Sequence, residues 1–431
     1  MGRARGANAL MALAFETGGY GITPASGFIQ MPFANDDLGE EQGLVASDLL
    51  GQGRDPMAPS LDVIKNEGTI GVPVDQRYFG HWLKLHFGAP TTTQGLPAVG
   101  FYTFSAQPTA SSTITVNGTA VTFVATAPTG NQVKIGATLP DTLTSLALFL
   151  NSSADNNIKI ATYTLDNSGN KVNIEHDTIG TAGNSFTVVA GSSPTSNATP
   201  SGATLTGGAT TGAYNHVFAS GGLVLPSASI EIGNPDVPSY AMNYGVVSDK
   251  IVINLQRSGL LNATVTYIAQ GEAARTTSSA AGTPSTISFN RFSQFMGSVS
   301  RGGVPLGDLE SGNFTVANGY DDVGIIRNDG RIGGVDPGEC AYTGQAVCRF
   351  KNTTLRDLAL NGTPVDISYG WRVSLSSRLT FLFHEVYLPR PKMSRSGPGG
   401  ISETYNWQGA KNAAAGRACT STLVNDVSTY A

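Results

Sequence analysis

The chain has 431 residues, too many for one ordinary domain, so two or three compact units are expected. It is 40% hydrophobic but only 13% charged and holds 53 glycines, a balance that favours a turn-rich, all-β protein covered by partner subunits over a freely dispersed enzyme. A formal net charge of −5 without a basic run excludes tight binding to nucleic-acid phosphates. It leaves room for the passage of a duplex, because a mildly acidic wall repels the backbone and lets it slide.

At the N-terminus Arg3 and Arg5 precede a short apolar run, residues 9–15, which Glu16 ends without a small-residue cleavage site, so no signal peptide is expected. No stretch approaches the roughly 20 apolar residues of a membrane span. Asp36, Asp37, Glu40 and Glu41 form an acidic segment, read as a solvated loop or a lumen-facing patch rather than a cation site. Gly53-Arg54 then precedes a strand-like run, residues 68–74, and a helix-like run, residues 75–87, closed by Gly88-Ala89-Pro90. Glycine takes the left-handed cap and proline blocks continuation. Asp75 is a suitable N-cap, and Tyr78, Phe79, Trp82 and Leu83 share one face, so the helix is expected to lay one stripe on a sheet.

Residues 101–104 read as a strand whose antiparallel partner is residues 214–218, yet about 110 residues separate them, which places an inserted domain at a hairpin tip. Within the insertion, residues 113–116 and 121–124 flank Asn117-Gly118, a strong hairpin signal. Leu143, Leu146, Ala147 and Leu150 mark a short amphipathic helix over residues 142–151. Strands are expected at residues 158–165 and 172–176 around the turn Asn167-Ser168-Gly169-Asn170, with a last one near residues 185–190. Residues 191–212, rich in Gly, Ser, Thr and Pro, read as a flexible return linker.

The chain also matches itself. Arg257-Ser258-Gly259, Thr266-Tyr267 and Gln270-Gly271 recur without a gap as Arg395-Ser396-Gly397, Thr404-Tyr405 and Gln408-Gly409, each a glycine turn leading into a strand. Gly330-Arg331 precedes a strand-like stretch, residues 344–350, and a shorter helix, residues 352–361, capped by Asn352 or Thr353 and ended by Gly362-Thr363-Pro364. Leu355, Leu358 and Ala359 share its face. Turn, strand, helix, strands and the Arg-Ser-Gly strand thus come twice. The expected fold is mainly β, with two tandem β-sandwich or half-barrel units, each with one flanking helix, plus an inserted small β-rich α+β domain. Residues 1–60 would be an N-terminal arm and the start of the first unit. The first unit is residues 61–105 with 213–271, the insertion 106–212, a linker 272–290, the second unit 291–410, and a C-terminal arm 411–431.

Catalytic patterns are absent. His81, His86, His176, His216 and His384 form no H-E-x-x-H spacing, and neither a P-loop nor a G-x-S-x-G elbow occurs. His384 and Glu385 are neighbours in a strand pattern, so they face opposite ways. Carboxylates cannot be paired into one cleft for glycoside cleavage. Cys340, Cys348 and Cys419 are odd in number and lack zinc-like spacing, which fits free thiols in a reducing compartment. No enzyme activity, cofactor or metal is expected.

Residues 28–33, Leu49-Leu50-Gly51-Gln52-Gly53-Arg54-Asp55-Pro56, Phe79-Gly80-His81-Trp82-Leu83-Lys84-Leu85-His86-Phe87-Gly88-Ala89-Pro90, residues 225–231, Arg291-Phe292-Ser293-Gln294-Phe295 and residues 384–391 together resemble the major tail tube proteins of long-tailed, siphovirus-type bacteriophages and related prophages. The resemblance covers nearly everything outside the insertion, which is its main departure and looks like a small β-rich module of phage tails. It implies a virion protein assembled in the bacterial host cytoplasm, whose sheets join those of neighbouring copies into a barrel around a lumen. It further implies stacked rings that form the tail tube, with the tape measure protein and the tail-terminator and tail-tip proteins as partners. Double-stranded DNA would pass without sequence-specific binding, and no part would insert into a membrane. Two units per chain imply a ring of three chains with pseudo-sixfold symmetry, the alternative being a hexamer. A different reading is a phage surface decoration or host-receptor and carbohydrate-binding protein, with the insertion as its contact. The residues before about 60, residues 272–290 and the tail from 411 would be arms that order on stacking.

Overall fold

A computed structural model describes residues 3–166, 168–306, 308–393, 395 and 399–430. The chain is mainly β, as its composition implies, with α-helices at Phe79–Phe87, Leu139–Ser152 and Thr354–Asn361. Asn167, Ser396 and Gly397, which belong to the turns expected above, lie outside the described residues.

Two long sheets are packed face to face. The first runs in the order Asn35–Asp36, Glu67–Pro73, Asn262–Ile268, the C-terminal part of Ser239–Leu255, Leu309–Ala317, Ala341–Arg349 and Ser402–Gly409, every neighbour antiparallel. The second runs Ala161–Leu165, Lys171–Ile179, Thr91–Phe104, Ala209–Ala219, Cys419–Asn425, Ser377–Tyr387, Val365–Ser374, Gly297–Arg301 and Val304–Pro305. Alternation drives the packing, because each strand turns one side-chain row inward. In Ala161–Leu165, Ala161, Tyr163 and Leu165 are buried while Thr162 and Thr164 are exposed. Between the sheets, the Phe314 ring lies 4.8 Å from those of Tyr369 and Phe381, and Phe383 lies 4.8 Å from Trp407. Indole Nε1 of Trp407 donates to the Tyr369 hydroxyl at 3.0 Å, so this buried indole has its one donor satisfied.

Each half repeats one order of elements. A strand before the helix pairs with the strand that follows the Arg-Ser-Gly sequence: Glu67–Pro73 with Asn262–Ile268, and Ala341–Arg349 with Ser402–Gly409. A strand after the helix pairs with the next long strand: Thr91–Phe104 with Ala209–Ala219, and Val365–Ser374 with Ser377–Tyr387. A small hairpin precedes the pre-helix strand in both halves, Glu41–Val45 with Ser60–Lys65 and Tyr320–Asp322 with Val335–Pro337. The repeated tyrosines, both buried, do not sit at matching registers: Tyr267 lies opposite Gly68, Tyr405 opposite Ala346.

The halves share one core, which joins Trp82, Tyr267 and Phe218 to Phe314, Trp371 and Trp407. A second core, with Tyr102, Phe104, Phe123, Leu143, Leu150 and Val172, belongs to the inserted region. Its helix Leu139–Ser152 begins at Thr138, whose hydroxyl accepts from the Asp141 N–H while the Asp141 carboxylate accepts from the Thr138 N–H, a reciprocal cap.

Several expectations are corrected. Residues 101–104 do not pair with residues 214–218. Thr91–Phe104 is one 14-residue strand that places Thr91 to Gln94 opposite Val217 to Tyr214, then continues into the insertion to pair with Lys171–Ile179 and Ala198–Pro200. The host strand and part of the insertion are therefore one sheet, while Thr113–Val116, Thr119–Val124, Gln132–Lys134 and Val188–Ala190 form a separate four-stranded sheet. Residues 191–212 are no loose linker: Ser196 and Leu205 are fully buried, and Leu205 joins the insertion core. The C-terminal segment is no free arm either. Cys419–Asn425 lies between Ala209–Ala219 of the first half and Ser377–Tyr387 of the second, with Leu423 and Val424 buried. An alternating Cys-Thr-Ser-Thr-Leu-Val run supplies a two-faced strand that composition alone disguises. Leu10–Phe15 already pairs with Ala228–Asn234, and the buried Glu231 carboxylate accepts from the backbone N–H of Ala280 (2.6 Å) and Ala281 (3.2 Å), which holds the 272–290 segment down.

Because Cys419–Asn425 bridges both halves, Leu423→Ala should destabilise the whole chain by about 2–5 kcal/mol, the usual range for a fully buried leucine. A urea midpoint equal to that of the parent chain would remove that strand from the common core.

Candidate assembly interface

The residues singled out on the first helix are all buried: Tyr78, Phe79, Trp82 and Leu83. The helix starts at Phe79 rather than at residue 75, because the Asp75 carboxylate, itself without exposure, accepts from the backbone N–H of Arg77 (3.1 Å), Tyr78 (3.1 Å) and Phe79 (2.8 Å) across a preceding turn. The expectation of one packed stripe is too narrow. Every residue from Phe79 to Phe87 is buried, including Lys84, whose ammonium lies 3.9 Å from the centre of the Phe15 ring. What covers the outward face is the chain's own C-terminus. The Tyr430 ring packs edge-on to His81 at 5.0 Å, and its hydroxyl donates to the Arg77 carbonyl at 2.5 Å. A Cβ on Gly80 would fall 2.2 Å from that ring, so only glycine fits there. In the second helix no residue is fully buried, and Leu355 and Ala359 alone pack against the core as partly buried groups.

His86 locks the halves together. Its Nδ1 is 2.9 Å from the Ser248 hydroxyl, and the Asn318 side-chain amide donates to the carbonyls of His86 and Ser248, each at 2.9 Å.

The repeat markers take separate places. Gly259 sits in a tight turn at φ +112° beside exposed Arg257, a conformation that L side chains rarely adopt. Tyr267 donates to the Asp37 carbonyl at 2.9 Å, and Tyr405 to the Glu403 carboxylate at 2.6 Å. Gln270 is half-buried, whereas Arg395 and Gln408 are exposed. The structure does not gather these residues into one site. Gly259 belongs to a turn, and Tyr267, Tyr405 and Gln408 to strands.

The surface carries the functional signal. Large apolar side chains cluster on the hairpin of residues 41–65: Leu44, Val45, Leu49, Leu50, Leu61 and Val63 are exposed, Leu50 to 93%. The corresponding hairpin of the second half exposes Ile325 and Ile326. Protruding apolar groups of this density mark a contact surface. Sequence reading passed over them because Leu49 and Leu50 belong to a motif-like phrase and show no periodicity. A groove of about 470 Å³ runs beside residues 33–38, lined by Phe33, Asn35, Asp36, Leu38, Ile232 and Ala241. Among the described residues no group of His, Cys, Asp or Glu is placed to hold a metal ion, and no helix is long and apolar enough to cross a membrane.

A family model described as phage tail tube protein matches residues 6–409, nearly the whole chain. The chain belongs to the phage tail tube protein family. It is thus a structural component of a phage tail, and the match runs through the inserted region as well as both halves. A search of curated proteins found no match.

Burial gives this tail protein an acid limit. Desolvation, reinforced by Lys84, lowers the pKa of His81 from 6.5 to about 4, and desolvation lowers that of His86 to about 3. The unfolded chain takes up protons at both rings as pH falls through about 6.5 while the folded chain does not, so stability is full above that value and declines toward about 3. The urea midpoint should drop between pH 7 and pH 5. An unchanged midpoint over that window would show that these rings are not held neutral.

Proposed function

We propose that this protein assembles with itself into rings that stack into the hollow tail tube through which phage DNA reaches the host. The observation that carries the reading is a single sheet running through both halves of the chain whose end strands, Asn35–Asp36 and Ser402–Gly409, have little or nothing on their outer sides. Isolated sheet edges invite pairing, and closure into a barrel of several copies removes them. Two alike halves per chain favour three chains per ring, with six approximately equivalent segments around the axis. The apolar hairpins of residues 41–65 and 320–337 supply a second kind of contact, suited to ring-on-ring stacking because they form small sheets of their own and expose apolar side chains.

The net charge of −5 suits a channel that lets DNA pass without holding it. The tape measure protein inside the tube and the terminator and tip proteins at its ends are the further partners of this reading. Assembly takes place in the host cytoplasm, consistent with three free thiols. The role is structural, without catalysis.

Negative-stain images of the purified full chain should show rings or hollow tubes, and class averages down the axis should show three repeats with six similar lobes. Dispersed single particles at every concentration and salt would overturn the reading.

A further inference from the structure

The assembly reading leaves open which strands meet between neighbouring chains, and the chain carries a template for that contact. Inside one molecule the halves are joined by an antiparallel ladder in which residues 250–255 of the first half pair with residues 317–312 of the second, Lys250 opposite Ala317 and Leu255 opposite Gly312. Helix ends fix the relation between the halves: Gly88 and Pro90 correspond to Gly362 and Pro364, which places Gly71 on Gln345. Asn35 lies opposite Gly71 and Asn313 opposite Gln345, so residues 34–39 hold the place that residues 312–317 hold in the second half. At the other end, Arg257 corresponds to Arg395, so residues 388–393 hold the place of residues 250–255.

Both of these segments lack the neighbour that their counterparts have. Residues 34–39 pair only toward Glu67–Pro73, and the groove of about 470 Å³ opens along this stretch. Residues 388–393 follow the last pairs of Ser377–Tyr387 and belong to no strand. Pro389 and Pro391, at alternate positions, remove N–H donors from one side of that segment and leave Leu388, Arg390 and Lys392 to donate on the other. Charge distinguishes the two ends. Residues 34–39 carry Asp36 and Asp37, whereas Arg390, Lys392 and Arg395 are exposed and make no ion pair among the described residues.

We infer that in the assembled ring residues 388–393 of one chain add as a strand to residues 34–39 of the next, a head-to-tail copy of the internal ladder in which Arg390 comes to lie opposite Asp37. The occupant of the acidic edge is a second copy of this chain. Complementary ends steer the two edges together, and the prolines keep the basic segment from pairing back onto Ser402–Gly409. The inference rests on the tube reading and adds the register.

The test uses the full chain. Arg390→Glu combined with Lys392→Glu should raise the protein concentration at which rings form by at least about tenfold and leave the melting temperature of the unassembled chain unchanged, since both side chains are exposed. Adding Asp37→Arg should restore assembly. Independently, Arg390→Cys with Asp37→Cys should give covalent trimers under mild oxidation, while either substitution alone gives none. If the parent chain forms tubes and the charge-reversed chain forms them equally well, with no cross-linked trimers, this interface is wrong and the tube reading stands. If the parent chain forms no ring at all, the tube reading itself fails.

Discussion

The ladder between residues 250–255 and 312–317 is the constraint on which the architecture depends. It turns two similar halves into one sheet, and its inward rows, Ile251, Ile253 and Leu255 facing Phe314 and Val316, are buried in the common core. A slip of one residue would turn those side chains to the other face, so the core fixes the register. Asn318, just past the ladder, ties it to the buried helix through the carbonyls of His86 and Ser248. On the opposite sheet Cys419–Asn425 repeats the junction with a strand taken from the chain's end. Neither half has a complete core without the other.

The inserted region strengthens the same connection. It departs from the first half yet reaches the second, where Glu175 accepts both guanidinium arms of Arg378 at 2.7 and 2.6 Å. Leu165 N–H donates to the Gly303 carbonyl at 3.0 Å, and the Asn151 side-chain amide donates to the Gly302 carbonyl at 2.9 Å. Two-armed ion pairs and backbone bonds define orientation as well as distance. The insertion thus spans the halves as a brace, and the second sheet closes where Ala161–Leu165 meets the loop before Val304–Pro305.

Much of this was legible in sequence where local chemistry decides the outcome. Asn117-Gly118 announced its hairpin, Gly88 and Gly362 ended their helices, and Leu143, Leu146 and Leu150 set the face of the inserted helix. What escaped depends on contacts distant in sequence. Polar runs such as residues 191–212 and 411–431 resemble linkers, and only their partners show that Leu205, Leu423 and Tyr430 fill a core. The helix Phe79–Phe87 looked amphipathic because its covering group, Tyr430, lies about 350 residues away, a distance that periodicity cannot sense. The contact surface was hidden for the opposite reason: exposed Leu49, Leu50 and Ile326 are visible as unpaired only once the core is known.

If both ends of the sheet are completed by sister chains, amide hydrogen exchange reports it directly. In the unassembled protein the amides of residues 250–255 and 312–317 should be protected, while Leu388, Arg390 and Lys392 and those amides of residues 34–39 that do not donate to Glu67–Pro73, as Ala34 and Asp37 do, should be open, with their protection appearing on assembly. Protection of both end segments before assembly, or openness of both within finished tubes, would contradict the account.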